Sequence, residues 1–129
     1  YTYRHALQDV LRYRPDRIVV GELRDGAATL SLLKAWNTGH YGGMSTIHAN
    51  SAESTLPRVE QLLEEVLTRT PRALIAEAIN IVVYLERYTD DHGASRRRVL
   101  DVARVAPRLD NDGSYAFEHH WHPSHITPT

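Results

Sequence analysis

Cysteine is absent from the 129 residues, which excludes disulfides and thiolate metal sites and suits a reducing compartment. Lysine is nearly absent: of 15 basic residues only Lys34 is not arginine. No apolar run approaches the roughly 18 residues needed to cross a bilayer, and the opening residues are not expected to be a signal peptide. The first residue is Tyr1 rather than Met, so the chain reads as a piece of something longer. An excess of either charge is missing too. The formal net charge is -1, which leaves no global pull towards nucleic acid or anionic membrane, and no sequence-specific nucleic-acid binding is expected. The tyrosines are scattered and build no platform for stacking bases. What remains, 42% apolar and 24% charged residues, is the composition of a globular chain long enough to bury one real core.

Along the chain, helix and strand patterns alternate for about two thirds of the length and then turn all-β, an α/β organisation. Ala6, Leu7, Val10 and Leu11 recur at helical spacing between Arg4 and Arg14, and Pro15 closes that helix. Arg17 to Gly21 is a β-branched run. Ala27, Leu30, Leu33 and Ala35 mark a helix from Gly26 to Trp36 that stops at Asn37-Thr38-Gly39. The Gly42-Gly43 pair breaks the chain before a second short strand, Met44 to Ile47. Asn50 and Glu53 have capping-box spacing, but Pro57 disfavours an unbroken helix, so the regular helix is expected from Thr55 through Leu67. Thr70-Pro71 reads as an N-cap followed by proline at the first helical position, leading to a helix over Arg72 to Ile79 and a strand at Ile81 to Leu85. Asp90 to Gly93 and Asn111 to Gly113 are turns, flanking strands at 97–105 and 115–121. The last residues, 123–129, carry no pattern and are expected to form a disordered tail.

Both early strands end in an ionisable side chain, Glu22 and His48. Ligands of open α/β sheets bind beyond the carboxyl ends of the strands. A carboxylate delivered there can hold Mg²⁺ through water or orient an attacking water; it can equally be a solvated strand-end glutamate. Asp25 is less well placed. An imidazole at the end of the second strand can hydrogen-bond a phosphate or a lytic water; it can equally orient the following loop.

Taken together, the segments carry a resemblance. Arg14-Pro-Asp-Arg-Ile-Val-Val-Gly-Glu-Leu-Arg-Asp25 resembles the Walker B segment of the type II/type IV secretion ATPase superfamily. Lys34-Ala-Trp-Asn-Thr-Gly-His-Tyr-Gly-Gly-Met-Ser-Thr-Ile-His-Ala-Asn-Ser-Ala52 resembles its histidine box, which Arg58-Val-Glu-Gln-Leu62 continues. The wording of 34–40 and of 72–80 is most similar to conjugal-transfer ATPases of the TrbB type. The resemblance spans about residues 4 to 105, and two motifs in the right order are far more specific than either alone.

The resemblance implies that residues 1–122 are the C-terminal part of a RecA-like P-loop NTPase core, with mainly parallel strands and helices followed by a small antiparallel β segment. It implies a parent that hydrolyses ATP with Mg²⁺ as a hexameric ring of identical subunits. That ring would be cytoplasmic, at the periphery of the bacterial inner membrane, working with the conjugation or type IV secretion machinery. It assigns the catalytic roles to Glu22 and His48, and nucleotide- or Mg²⁺-associated roles to Arg24 and His40; Arg24 can also be a structural salt bridge, and Arg58 is expected to be structural or interfacial. The departure is that no Gly-x-x-x-x-Gly-Lys-Ser/Thr loop exists here, Lys34 being preceded by Leu32-Leu33 rather than by glycines. The isolated chain is therefore expected to be inactive. An exposed strand edge and an uncovered apolar face are expected as well.

Other constellations carry less. His119, His120, His122 and His125 are irregularly spaced and interrupted by Pro123, and are expected to be surface histidines; no metal site is expected. Arg96-Arg97-Arg98 reads as a solvated strand edge. Two alternatives to a conjugative ATPase are a pilus-assembly or type II secretion ATPase, and a non-catalytic module that docks onto a secretion ring.

Overall fold

The computed structural model describes residues 2–121; the segment 123–129, together with His122 and His125, lies outside the described residues. The elements run α1 (Tyr3–Arg12), β1 (Val19–Val20), α2 (Gly26–Asn37), β2 (Met44–Ser45), α3 (Ala52–Leu63), α4 (Arg72–Ala78), β3 (Ile81–Thr89), β4 (Ser95–Val105) and β5 (Phe117–Trp121). The α/β class read from the sequence is the class observed. β1 and β2 form a short parallel pair in which Val19 faces Met44 and Val20 faces Ser45. β3, β4 and β5 form an antiparallel sheet in that order.

α2 is the element on which the fold turns, because two consecutive leucines face opposite ways. Leu32 packs with Leu7, Ile18, Val20 and Leu23, and Leu33 with Leu56, Val59, Leu63, Ile75, Val82 and Val105. Both leucines are wholly buried, so the helix joins the parallel pair on one side to α3, α4 and the antiparallel sheet on the other. The expected stripe is correspondingly shifted: Ala27 and Leu30 are only partly buried, while Thr29 and Leu32 are fully buried.

Several boundaries differ from the sequence reading for identifiable reasons. α3 begins at Ala52, not Thr55, because Ser51 and Ser54 cap each other reciprocally: the Ser54 N–H donates to Ser51 Oγ at 3.1 Å and the Ser51 N–H to Ser54 Oγ at 2.9 Å. Asn50 and Glu53 do not form the box. Pro57 lies inside this helix but on its exposed face, where water can serve the carbonyl that its missing N–H leaves free. The N-cap of α4 is Pro71, without a side-chain cap, so Thr70 does not play the role its hydroxyl suggests. β3 runs four residues past 85 and β4 starts two residues before 97, as a long hairpin closed by the Asp90 to Gly93 turn, where Asp90 Oδ1 accepts from the His92 and Ala94 N–H groups.

The expected open edge is present. Among the described residues β1 pairs only with β2, and its free side borders a groove lined by Tyr3, Leu7, Val10, Ile18 and Val19. Val19 and Met44 are about two-thirds exposed, at 67% and 65%, which is unusual for β-sheet residues of a finished core. No described helix is long and apolar enough to cross a membrane.

Candidate functional site

The parallel pairing carries on past the two ladder positions. The Leu23 N–H donates to the Thr46 carbonyl at 2.8 Å, and the Thr46 hydroxyl donates to the Gly21 carbonyl at 2.7 Å. These two bonds hold the chain after β1 beside the chain after β2, and they deliver Glu22 and His48 to the same carboxyl end. Upstream, close approach is enforced by Trp36, whose indole N–H donates to the Ile18 carbonyl at 3.3 Å. Gly43 sits beneath that indole. A Cβ there would overlap the Trp36 nitrogen and lie 2.5 Å from the Ile18 oxygen, so only glycine fits.

Glu22 Oε1 lies 3.0 Å from His48 Nε2, and Glu22 Oε2 accepts from Arg24 Nε at 2.6 Å. The glutamate side chain is 22% exposed and the imidazole 94%. Charge-assisted bonds of this length favour the ionised acceptor. The Arg24 guanidinium above all, and His48 to a smaller degree, hold the Glu22 carboxyl below its ordinary value near 4.5 against the opposing effect of desolvation. A carboxylate with a depressed pKa stabilises the fold above its unfolded value and loses that contribution as pH falls through the folded one. Arg24→Gln is therefore expected to move the Glu22 carboxyl titration, followed by side-chain carboxyl NMR, upward towards 4.5; an unchanged midpoint would show that Arg24 does not hold the charge.

The structure thus brings together three of the four residues singled out from the sequence. His40 stands apart from this hydrogen-bonded group: its backbone N–H donates to the Ala35 carbonyl at 3.3 Å, and its Nδ1 is buried with no hydrogen-bond partner among the described residues. Asp25 is committed to α2 as its N-cap, accepting from the Ala28 N–H at 2.8 Å. Arg58 is exposed and bonds Gln61 at 2.9 Å.

The residues present fit one half of a nucleotide site and not the other. A carboxylate held ionised beside an exposed imidazole can orient a water and accept its proton. Phosphate, however, needs free amides, and two amides of the helix N-terminus that follows Glu22 are already taken by carboxylates. Asp25 takes the Ala28 amide, and Glu65 Oε2 takes the Gly26 amide at 2.9 Å. Both oxygens of Glu22 are already engaged, one by Arg24 and one by His48, so a direct Mg²⁺ bond is not prepared either.

Sequence reasoning missed three features. Glu65 reaches back to the start of α2 from beyond α3, a tertiary contact without a local signal. Glu60 is buried on the Leu56-Val59-Leu63 face of α3 and pairs with Arg72 at 3.0 Å. Burial first, and the Glu60 carboxylate second, push the nearby Tyr115 hydroxyl well above its ordinary pKa. His119, expected to be a surface histidine, lies between Asp101 and Glu53, and hydrogen bonding to Asp101 raises its pKa. The signal for the last was present: Asp101 shares the inward alternation of Ala103 and Val105, where a charge requires a partner. The Arg96 to Arg98 run is an exposed edge as expected, with Arg96 paired to Asp90 and Arg98 to Glu86.

Residues 1–120 match the family described as "Type II/IV secretion system protein". Among curated proteins, the conjugal transfer protein TrbB of Rhizobium radiobacter is 46% identical over 114 residues, covering 88% of this chain and 33% of that protein. The type IV secretion system protein PtlH of Bordetella pertussis is 39% identical over 102 residues, covering 74% of this chain and 29% of that protein. Among solved structures, the VirB11 ATPase of the Brucella suis type IV secretion system, in complex with sulphate, matches with a TM-score of 0.64 at 25% identity, over 79% of this chain and 31% of that one. The ATPase DotB of Yersinia pseudotuberculosis shares the fold with a TM-score of 0.68 at 22% identity, over 80% of this chain and 26% of that one. The chain spans about a third of the length of the curated relatives named here.

Proposed function

Because the chain belongs to the type II/IV secretion system protein family, matched over residues 1–120, we propose that it supplies the Walker B and histidine-box half of the ATP-hydrolysing site of a conjugative type IV secretion ATPase. The observation that carries this reading is the 3.0 Å approach of Glu22 and His48 at the carboxyl ends of two parallel strands. The names of the relatives, conjugal transfer and type IV secretion proteins, support the choice of machinery. On this reading the parent works as a ring of six identical subunits on the cytoplasmic side of the inner membrane, in contact with the secretion apparatus.

ATP with Mg²⁺, when bound by the parent, supplies the phosphoanhydride that is cleaved and charge that competes for the side chains around it. Glu22, kept ionised by Arg24, orients the attacking water and accepts its proton. His48 is free on its solvent side while its Nε2 faces Glu22, so one nitrogen remains available to a phosphate oxygen. A shift of His48 between Glu22 and phosphate would couple the state of the nucleotide to the loop leading into α3. Arg24 and His40 remain associated with the nucleotide in this proposal, Arg24 by setting the charge on Glu22.

These 129 residues contain no Gly-x-x-x-x-Gly-Lys-Ser/Thr loop to grip phosphate. The purified chain is accordingly expected to bind ATP weakly and to release no phosphate above a blank in a steady-state assay. Turnover by the chain that disappears in Glu22→Gln would show that a complete site exists here and would overturn the half-site reading.

A further inference from the structure

Outside the Glu22 cluster, one group of metal-ligating side chains among the described residues is drawn from three separate elements. Glu53 belongs to the first turn of α3, Asp101 to β4 and His119 to β5. One donor atom from each lies within 4.8 Å of the others. Asp101 is 6% exposed, and His119 is its partner: Nδ1 stands 2.8 Å from one carboxylate oxygen and 3.0 Å from the other.

That contact turns Nε2 away from the buried carboxylate. In a ring whose Nδ1–H donates to Asp101, Nε2 is the nitrogen whose lone pair a metal takes in place of a proton. Nε2 points at Glu53 Oε1 across 3.2 Å. Histidines that bind metals characteristically donate their second ring N–H to a carboxylate, which fixes tautomer and ring orientation and raises ligand basicity. The spacing also suits a metal. Bonds of zinc length in a tetrahedral shell separate two ligand atoms by roughly 3.4 Å. Glu53 is 55% and His119 36% exposed, so water can complete the shell.

We propose that Glu53 and His119 Nε2 ligate a divalent cation of the zinc class, with Asp101 as the residue that positions the imidazole. An imidazole and a carboxylate without any thiolate suit Zn²⁺ or Co²⁺. The bound ion would fasten β5 to the first turn of α3. Glu53 follows His48 in sequence by only five positions, so the ion would also restrain the loop that leaves the candidate hydrolytic pair. This inference does not depend on the chain acting in ATP hydrolysis.

The test is equilibrium dialysis of the full chain against zinc chloride, with Co²⁺ absorption reporting geometry. The expected result is about one zinc per chain with a tetrahedral cobalt spectrum. His119→Ala and Glu53→Gln are expected to weaken binding at least about tenfold, and Asp101→Asn by about 10- to 100-fold. With Asp101→Asn the cobalt bands should move while saturating metal still restores the stoichiometry, which a purely structural role for Asp101 would not produce. Glu53→Gln changes an exposed side chain and keeps the test decisive if His119→Ala fails to fold. His122→Ala combined with His125→Ala should leave binding intact. Absence of zinc binding by the wild-type chain would overturn the proposal. So would loss of binding in the His122/His125 variant with His119→Ala unaffected, which would assign the metal to the histidine tail.

Discussion

Gly43→Ala is expected to lower the stability of the chain by about 2–4 kcal/mol, while Gly21→Ala stays within about 0.5 kcal/mol of wild type. Both glycines flank the parallel pair and neither is there for an unusual φ, since the positive-φ glycines are Gly39, Gly42, Gly93 and Gly113. Their surroundings differ. A Cβ at Gly21 meets nothing within 4 Å, whereas one at Gly43 runs into the Trp36 indole and the Ile18 carbonyl. Those two groups are hydrogen-bonded to each other, so relief by moving either one gives up that bond as well as the packing of Ile18, which is 3% exposed. The separation of β1 from β2 sets the distance between Glu22 and His48, so the Gly43 variant should also loosen their pairing. Urea denaturation midpoints measure the stability difference. Equal midpoints for the two variants would mean that the parallel pair has slack the structure does not show.

Gly43 illustrates how the fold was legible and where it stopped being so. The Gly42-Gly43 dipeptide was readable as a break before a strand, because glycine punctuates chains. Its real constraint is a tertiary approach by Trp36, a residue seven positions earlier in the sequence, which no local pattern announces. The same limit explains α3. Pro57 argued for a later start, but the reciprocal Ser51 and Ser54 cap and the solvent exposure of Pro57 outweigh the lost hydrogen bond. In β3 and β4 the alternation is clear, and only the length was underestimated, since a hairpin keeps pairing until its turn whatever the polarity of its outer residues.

The candidate site was more legible than the fold around it. Glu22 and His48 stood out as ionisable groups ending two short apolar runs, with their catalytic roles implied only by the family resemblance, and the parallel register places the two strand ends side by side. What the sequence could not convey is how fully Glu22 is engaged. Its oxygens meet Arg24 at 2.6 Å and His48 at 3.0 Å, a cluster that depends on side-chain direction after the strand. Nor could it convey that Asp25 and Glu65 occupy two amides of the neighbouring helix N-terminus. His119 lay hidden for a different reason: it stands in a histidine-rich run whose irregular spacing argues for surface residues, and only the buried Asp101 distinguishes it.

On the proposed half-site reading, Glu22→Gln is expected to cost the complete ATPase about 10²- to 10⁴-fold in kcat, the range contributed by a positioned general base. Glutamine keeps the size and one acceptor oxygen but cannot take a proton, and it no longer attracts the Arg24 guanidinium by charge. On the half-site reading, binding of nucleotide should change little, because Glu22 is not assigned to gripping phosphate. The decisive measurement therefore uses a chimera in which these residues replace the matching third of the Rhizobium radiobacter TrbB relative. ATP turnover and nucleotide affinity would be measured for the chimera with and without Glu22→Gln. The half-site account predicts turnover in the chimera and its loss by at least about a hundredfold in the variant, at unchanged nucleotide affinity. A variant that hydrolyses ATP as fast as its parent chimera would contradict it.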